Sequence, residues 1–185
     1  MGANIGLTAF KRVTYPSLFD MVILMVEDLV LENGKGELRI LGRRYAAIDV
    51  GSLCKHLEGL VGEKVAEVII DHHEIRLGDE DAASIRREKP EATIAELVEE
   101  LSHMDRVSGI GVTNVILPNG SAGDIALEIS NPILNGTKGA EKALILSYWC
   151  GALSCLLGRK LDVKNVVYDE EKNALRCEIG VRVPK

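Results

Sequence analysis

The sequence has no surplus of basic residues: 22 Lys and Arg stand against 28 Asp and Glu, for a formal net charge of −6. Phosphate backbones are held by clustered Lys and Arg, so nucleic acid is not an expected partner, and neither is an anionic membrane surface. Cysteine is scarce. Cys54, Cys150, Cys155 and Cys177 form no CxxC pair, and no secretory signal pattern precedes them. The expectation is reduced thiols in a cytoplasmic chain. Long apolar runs are missing near the N-terminus: Met21–Met25, extended after a polar break to Leu31, falls far short of a bilayer span. There is no nucleotide loop, because Gly109-x-Gly111 is followed by Asn114 where a dinucleotide fingerprint wants glycine. No Gly-x-Ser-x-Gly elbow occurs either. With no acid–base constellation visible, catalysis is the least expected function, and no cofactor is expected.

What is present suits one domain with an extension: 46% of the 185 residues are apolar, enough for a continuous core. Residues 1–16 have no clear period and read as an arm. Leu18, Met21, Val22, Met25, Val26 and Leu29 then recur at helical spacing, with Glu27 and Asp28 on the other face. That helix is more apolar than a surface helix of a small monomer should be. It is expected to form a homodimer contact, so residues 1–35 are taken as arm and helix and 36–185 as the domain.

Glu37 to Val50 reads as strand structure, with a bend at Gly42, and Gly51-Ser52 offers a helix cap. From Leu53 to Ile75 apolar residues recur at three, four and seven, as one long helix or two broken at Gly62. The charged stretch 79–91 reads as a solvated helix end or loop, with Asp79-Glu80-Asp81 facing water. Thr93 followed by Glu96 is a capping box for the next helix. Ile110, Val112, Asn114 and Ile116 alternate, as do Ile125, Leu127 and Ile129, which is a β-hairpin. A helix follows over Lys138–Leu157, closed by Gly158. Two strands, Leu161–Tyr168 and Ala174–Val183, end the chain. Helices and strands come in runs rather than strict alternation, so the fold class is α+β, an antiparallel sheet with helices packed beside it.

Most candidate chemistry has a plain structural reading. Asp71-His72-His73-Glu74 is the densest run of potential ligands, but neighbours on a helix point about 100° apart and cannot converge alone on one metal. His72 is expected on the apolar face and His73 toward solvent. His56 and His103 read as surface residues. Cys177 shares a face with Leu175 and Ile179 and reads as a buried thiol. Cys54, beside Lys55 near a helix start, is a position where a lowered pKa is conceivable.

The long helix is more informative. Gly139, Ala143, Ser147, Gly151 and Cys155 are spaced by four and make a stripe of small side chains. One reading is close packing against the sheet. The other is the wall of a cavity beside Trp149, Tyr148 and Leu153, facing hairpin residues Val112, Asn114, Leu127 and Ile129. These set the expected ligand site as Trp149, Tyr148, Leu153, Asn114, Val112 and Ile129, with Asn114 offering the polar handle.

Gly109-Ile110-Gly111-Val112, Asn131-Pro132, Ser147 to Leu153, Leu157-Gly158-Arg159 and Arg176-Cys177-Glu178 together resemble the 4-vinyl-reductase domain family. The resemblance covers residues 109–183 best. It implies a ligand-binding fold related to subunits of the TRAPP vesicle-tethering complex, and a hydrocarbon-binding or sensing module that is non-catalytic and often dimeric. The alternative it implies is a TRAPP-like interaction scaffold without ligand. Phenol-sensing members hold zinc through a Cys on the long helix, a Glu-x-x-Cys and a Cys after the next turn. Cys150 or Cys155 matches the first position and Cys177 the last. The middle pair falls near Asn165 and Tyr168, and the turn Asp169–Asn173 lacks the glycine, so no metal is expected.

Overall fold

The computed structural model describes residues 29–32, 37–40, 43–45, 49–118 and 123–182. The chain divides into two compact units, Met1–Ala47 and Ile48–Lys185. In the first, β1 (Leu29–Glu32), β2 (Glu37–Ile40) and β3 (Arg43–Tyr45) form an antiparallel sheet in that order, with Leu38 opposite both Leu31 and Tyr45. The helix expected over 18–31 lies outside the described residues up to position 28. Its last three positions are in β1 instead, because pairing across the 33–36 connection to β2 satisfies their backbone groups. The boundary accordingly falls at 47/48 rather than 35/36: β2 is held between β1 and β3 and belongs with them.

The second unit opens with α1 (Val50–Val61). Its cap is Asp49, not Gly51-Ser52: the Asp49 carboxylate accepts from the Ser52 N–H at 2.9 Å, so Ser52 already sits in the first turn. Gly62, at φ +83°, breaks the chain between α1 and α2 (Glu63–Glu88). Cys54 of α1 packs with Ala66 and Ile70 of α2, which shows the two helices lying against one another. The charged stretch is not a loop. α2 runs through it to Glu88, and Asp81, Ala82 and Ile85 are buried while Asp79 and Glu80 stay in water.

Next, α3 (Ile94–Ser108) begins at the expected capping box. The Thr93 N–H donates to Glu96 Oε2 at 2.7 Å and the Glu96 N–H to Thr93 Oγ1 at 3.3 Å. The strands β4 (Val112–Ile116), β5 (Ile125–Ser130), β6 (Leu161–Asp169) and β7 (Ala174–Val181) make an antiparallel sheet ordered β4-β5-β7-β6. Between its two halves runs the long helix α4 (Gly139–Leu157), closed by Gly158 at φ +64°. By length and apolarity α4 would pass for a membrane span, but 67% of its apolar window is buried inside the protein.

α4 is the centre of the fold. Ile145, Trp149, Leu153 and Leu156 join Ile125, Leu127, Ile129, Leu175 and Ile179 of the sheet and Leu97 and Leu101 of α3 in one buried cluster. On its other side lies α2, running in the same direction. The Glu63 side chain sits beside Gly139, Asp71 bonds Ser147, and Ile75 lies at Gly151. The small-residue stripe therefore packs against a helix and not against the sheet. A methyl group on Gly151 would fall on the Ile75 carbonyl, and one on Gly78 would fall on that of Tyr148. The two backbones touch where both helices have glycine.

Candidate functional site

The expected ligand residues are not brought together. Trp149, Leu153 and Ile129 are fully buried core. Val112 and Asn114 are exposed on the far face of the sheet. Strand β4 has apolar residues at both parities, and the pairing of Thr113 with Ile129 and of Val115 with Leu127 fixes Thr113 and Val115 as the inward pair. Asn114 consequently needs no buried partner. Tyr148 is half-buried, and its hydroxyl donates to Asp81 Oδ2 at 3.2 Å, toward α2 rather than the hairpin.

Between α4 and the hairpin, where the ligand was expected, stands a buried carboxylate. Asp105, on the last turn of α3, is 5% exposed. Trp149 Nε1–H donates to its Oδ2 at 2.7 Å and Thr113 Oγ1–H to the same oxygen at 2.5 Å. Burial pushes the Asp105 carboxyl up to about 6, against the pull of these two hydrogen bonds. One group thus ties α3, β4 and α4 together. The signal was present: Ile94, Leu97, Val98 and Leu101 mark the inward stripe of α3, and Asp105 stands four residues further along it.

Among the described residues a cavity lies on the other side of α4. It measures about 120 Å³ and is walled by Glu67, Asp71 and Ile75 of α2, by Lys142, Ala143, Leu146, Ser147 and Cys150 of α4, and by Leu161, Asp162 and Val163 of β6. Its α4 wall is irregular: Ala143–Ser147 is a π-helical segment within the α-helix. Such wide turns recur at functional sites, because they shift side chains out of register with the helix on either side. Ser147 Oγ–H donates to Asp71 Oδ1 at 2.6 Å across the floor. Burial pushes the Cys150 thiol up to about 12, and the Cys177 thiol as well, so both are neutral. A second, open groove along α3, lined by Lys89, Glu96, Glu100 and His103 among others, is a solvated surface laced by the 2.6 Å Lys89–Glu100 ion pair.

His72 is exposed, like His73, because the inward line of α2 runs through Ala66, Ile70 and Gly78, and His56 is exposed on α1. His103 is half-buried. Cys54 is 1% exposed, and burial raises its pKa rather than lowering it. Asn165 donates its amide to Glu178 Oε2 at 2.5 Å, and the Tyr168 hydroxyl donates to Asn173 Oδ1 at 2.6 Å. Among the described residues no three His, Cys, Asp or Glu side chains form a group that could hold a metal ion.

No family model and no curated protein matches the chain. Solved structures do. The phenol-responsive sensory domain of the transcription activator PoxR, in complex with phenol, superposes with a TM-score of 0.66 at 13% identity, covering 91% of this chain and 92% of that one. A vinyl-4-reductase family protein from Methanocaldococcus jannaschii gives 0.48 at 13% identity, over 96% and 100% of the two chains. At this identity the likeness is one of fold. The four-stranded antiparallel sheet with its central buried helix is the α+β architecture of the PoxR sensory domain.

Proposed function

We propose that this chain is a non-catalytic domain that binds or senses a small molecule, as a member of the vinyl-4-reductase-like group, and that the ligand occupies the cavity between α2, α4 and β6. The cavity at the π-helical segment carries the reading. About 120 Å³ is close to the cavity of about 150 Å³ that takes up benzene in an engineered core. Ile75, Leu146, Leu161 and Val163 suit an apolar body, and Asp71, Ser147 and Lys142 suit one polar head. The fold shared with a phenol-responsive sensory domain supports the same reading.

Titration of the whole chain with phenol-sized aromatics and alcohols, followed by calorimetry or amide shifts, tests it. Saturable binding is expected, weakened at least about tenfold by Val163→Phe, which fills the cavity from the half-buried edge strand. Asn114→Ala, on the solvent face, should leave it unchanged. Equal affinity in wild type and Val163→Phe would remove the cavity as the site. The second reading, a TRAPP-like scaffold without ligand, is favoured by the filled core around Trp149, which is 0% exposed. The homodimer expected through residues 18–31 remains part of the proposal. Light scattering at high micromolar concentration should then give twice the 20.1 kDa chain mass, and a monomer would refute it.

A further inference from the structure

The charged side chains that wall the cavity between α2, α4 and β6 are all half-buried, whereas Ala143, Leu146, Ser147, Cys150 and Leu161 form the buried part of its wall. A molecule bound there keeps its apolar body inward and its polar head toward the charged rim. Hydrogen bonding and charge at that rim decide which kind of head fits.

Ser147 is 5% exposed, and its one hydroxyl proton goes to Asp71 Oδ1 at 2.6 Å. What remains on Ser147 Oγ is acceptor capacity alone. The Asp71 carboxylate is acceptor-only as well, and among the described residues its Oδ2 meets no hydrogen-bond donor. Two acceptors thus stand side by side, fixed to one another by a short bond. Charge points the same way. Asp162 is answered by Arg182, whose Nε and Nη2 reach its two oxygens at 3.0 and 2.8 Å. Glu67 and Asp71 then have only Lys142 as a counter-charge among the described lining residues, so one negative charge at the rim is uncompensated.

Resting on the reading that this cavity takes a small molecule, we infer that it selects a protonated primary amine on a compact apolar body, with Asp71 as the specificity-determining residue. An ammonium has three donors and no acceptor. It can serve Asp71 Oδ2 and Ser147 Oγ together, and it supplies the missing positive charge. A hydroxyl has one donor and brings no charge. A carboxylate has no donor and would meet Glu67 and Asp71 with like sign. Lys142 offers an anion one partner, but in a space of about 120 Å³ an anion that reached it would also lie near both acids.

Benzylamine, benzyl alcohol and benzoate carry the three heads on one aromatic ring. The whole chain is titrated with each at neutral pH, followed by calorimetry and amide shifts. Benzylamine should bind at least about tenfold more tightly than benzyl alcohol, and benzoate more weakly than either. Asp71→Asn keeps an oxygen that accepts from Ser147 and removes the charge. It should erase the advantage of benzylamine and change benzyl alcohol by less than about twofold. Lys142→Gln, at the half-buried rim, is the second arm and should tighten benzylamine about threefold, since it removes the opposing cation. Benzyl alcohol or benzoate bound as tightly as benzylamine overturns the inference and leaves the cavity as a ligand site. Benzylamine binding that Val163→Phe does not weaken overturns it too, as attraction to the acidic surface at large. Binding of none of the three removes the ligand reading and the inference together.

Discussion

Gly151→Ala, a single added methyl, should destabilise the protein by about 3 kcal/mol or more, at the top of the range for overpacking a core. The added Cβ would fall on the Ile75 carbonyl of α2. That obstacle is backbone inside a helix, so no side-chain rotation can clear it. Relief requires α2 and α4 to separate, which opens the packing from Ser147–Asp71 to Tyr148–Asp81. Gly78→Ala meets the Tyr148 carbonyl and the Ala152 nitrogen and should behave alike. Gly59 is the control. It lies in α1 where a Cβ meets nothing, so Gly59→Ala should be neutral or stabilise by up to about 1 kcal/mol through helix propensity. Denaturant unfolding of the three variants measures this. A loss below about 1 kcal/mol for Gly151→Ala would mean that the helices do not cross where their glycines meet.

The same pair of glycines shows what a sequence discloses and what it withholds. The spacing of Gly139, Ala143, Ser147, Gly151 and Cys155 announces a close approach along one side of α4. Its partner does not follow from spacing, because α2 presents Gly78 immediately before a charged stretch that resembles a loop. Local chemistry is read more safely. The Thr93–Glu96 box and the close at Gly158 each rest on one or two residues whose backbone preference is decided within a turn, whereas at Gly62 the sequence left one helix or two open and the structure shows two. Strand parity is a weaker signal. Val112, Val115 and Ile116 place apolar residues on both faces of β4, and only pairing with β5 chooses Thr113 and Val115 as inward. That choice moved Asn114 out to solvent. The cavity was beyond reach for a different reason. Its walls come from α2, α4 and β6, and the π-helical segment that shapes it has no local sequence signature.

Asp105 carries the other large expected effect, and its sign depends on pH. The folded carboxyl titrates near 6 and the ordinary value is 3.8. Between those values the native state holds a proton that the unfolded state has released. The stabilisation it brings is therefore complete below about 4 and is lost as pH rises through about 6. Two units correspond to on the order of 2–3 kcal/mol. Asp105→Asn keeps one oxygen that can accept from both Trp149 and Thr113 and removes the ionisation. Its unfolding free energy should match wild type near pH 4.5 and exceed it by about 2 kcal/mol at pH 8. Glu74 contributes to the wild-type slope with the same sign, because burial raises its carboxyl to about 7. That slope is common to both proteins, so the difference between their curves isolates Asp105. Asp105→Ala instead strands the Trp149 N–H and the Thr113 hydroxyl in the core and should lose on the order of 2–4 kcal/mol at pH 5. Denaturant unfolding at several pH values separates the outcomes. Parallel curves for wild type and Asp105→Asn would show that Asp105 does not titrate in this window. An asparagine variant less stable than wild type at pH 8 would show that the carboxylate gains more from its two donors than burial takes away.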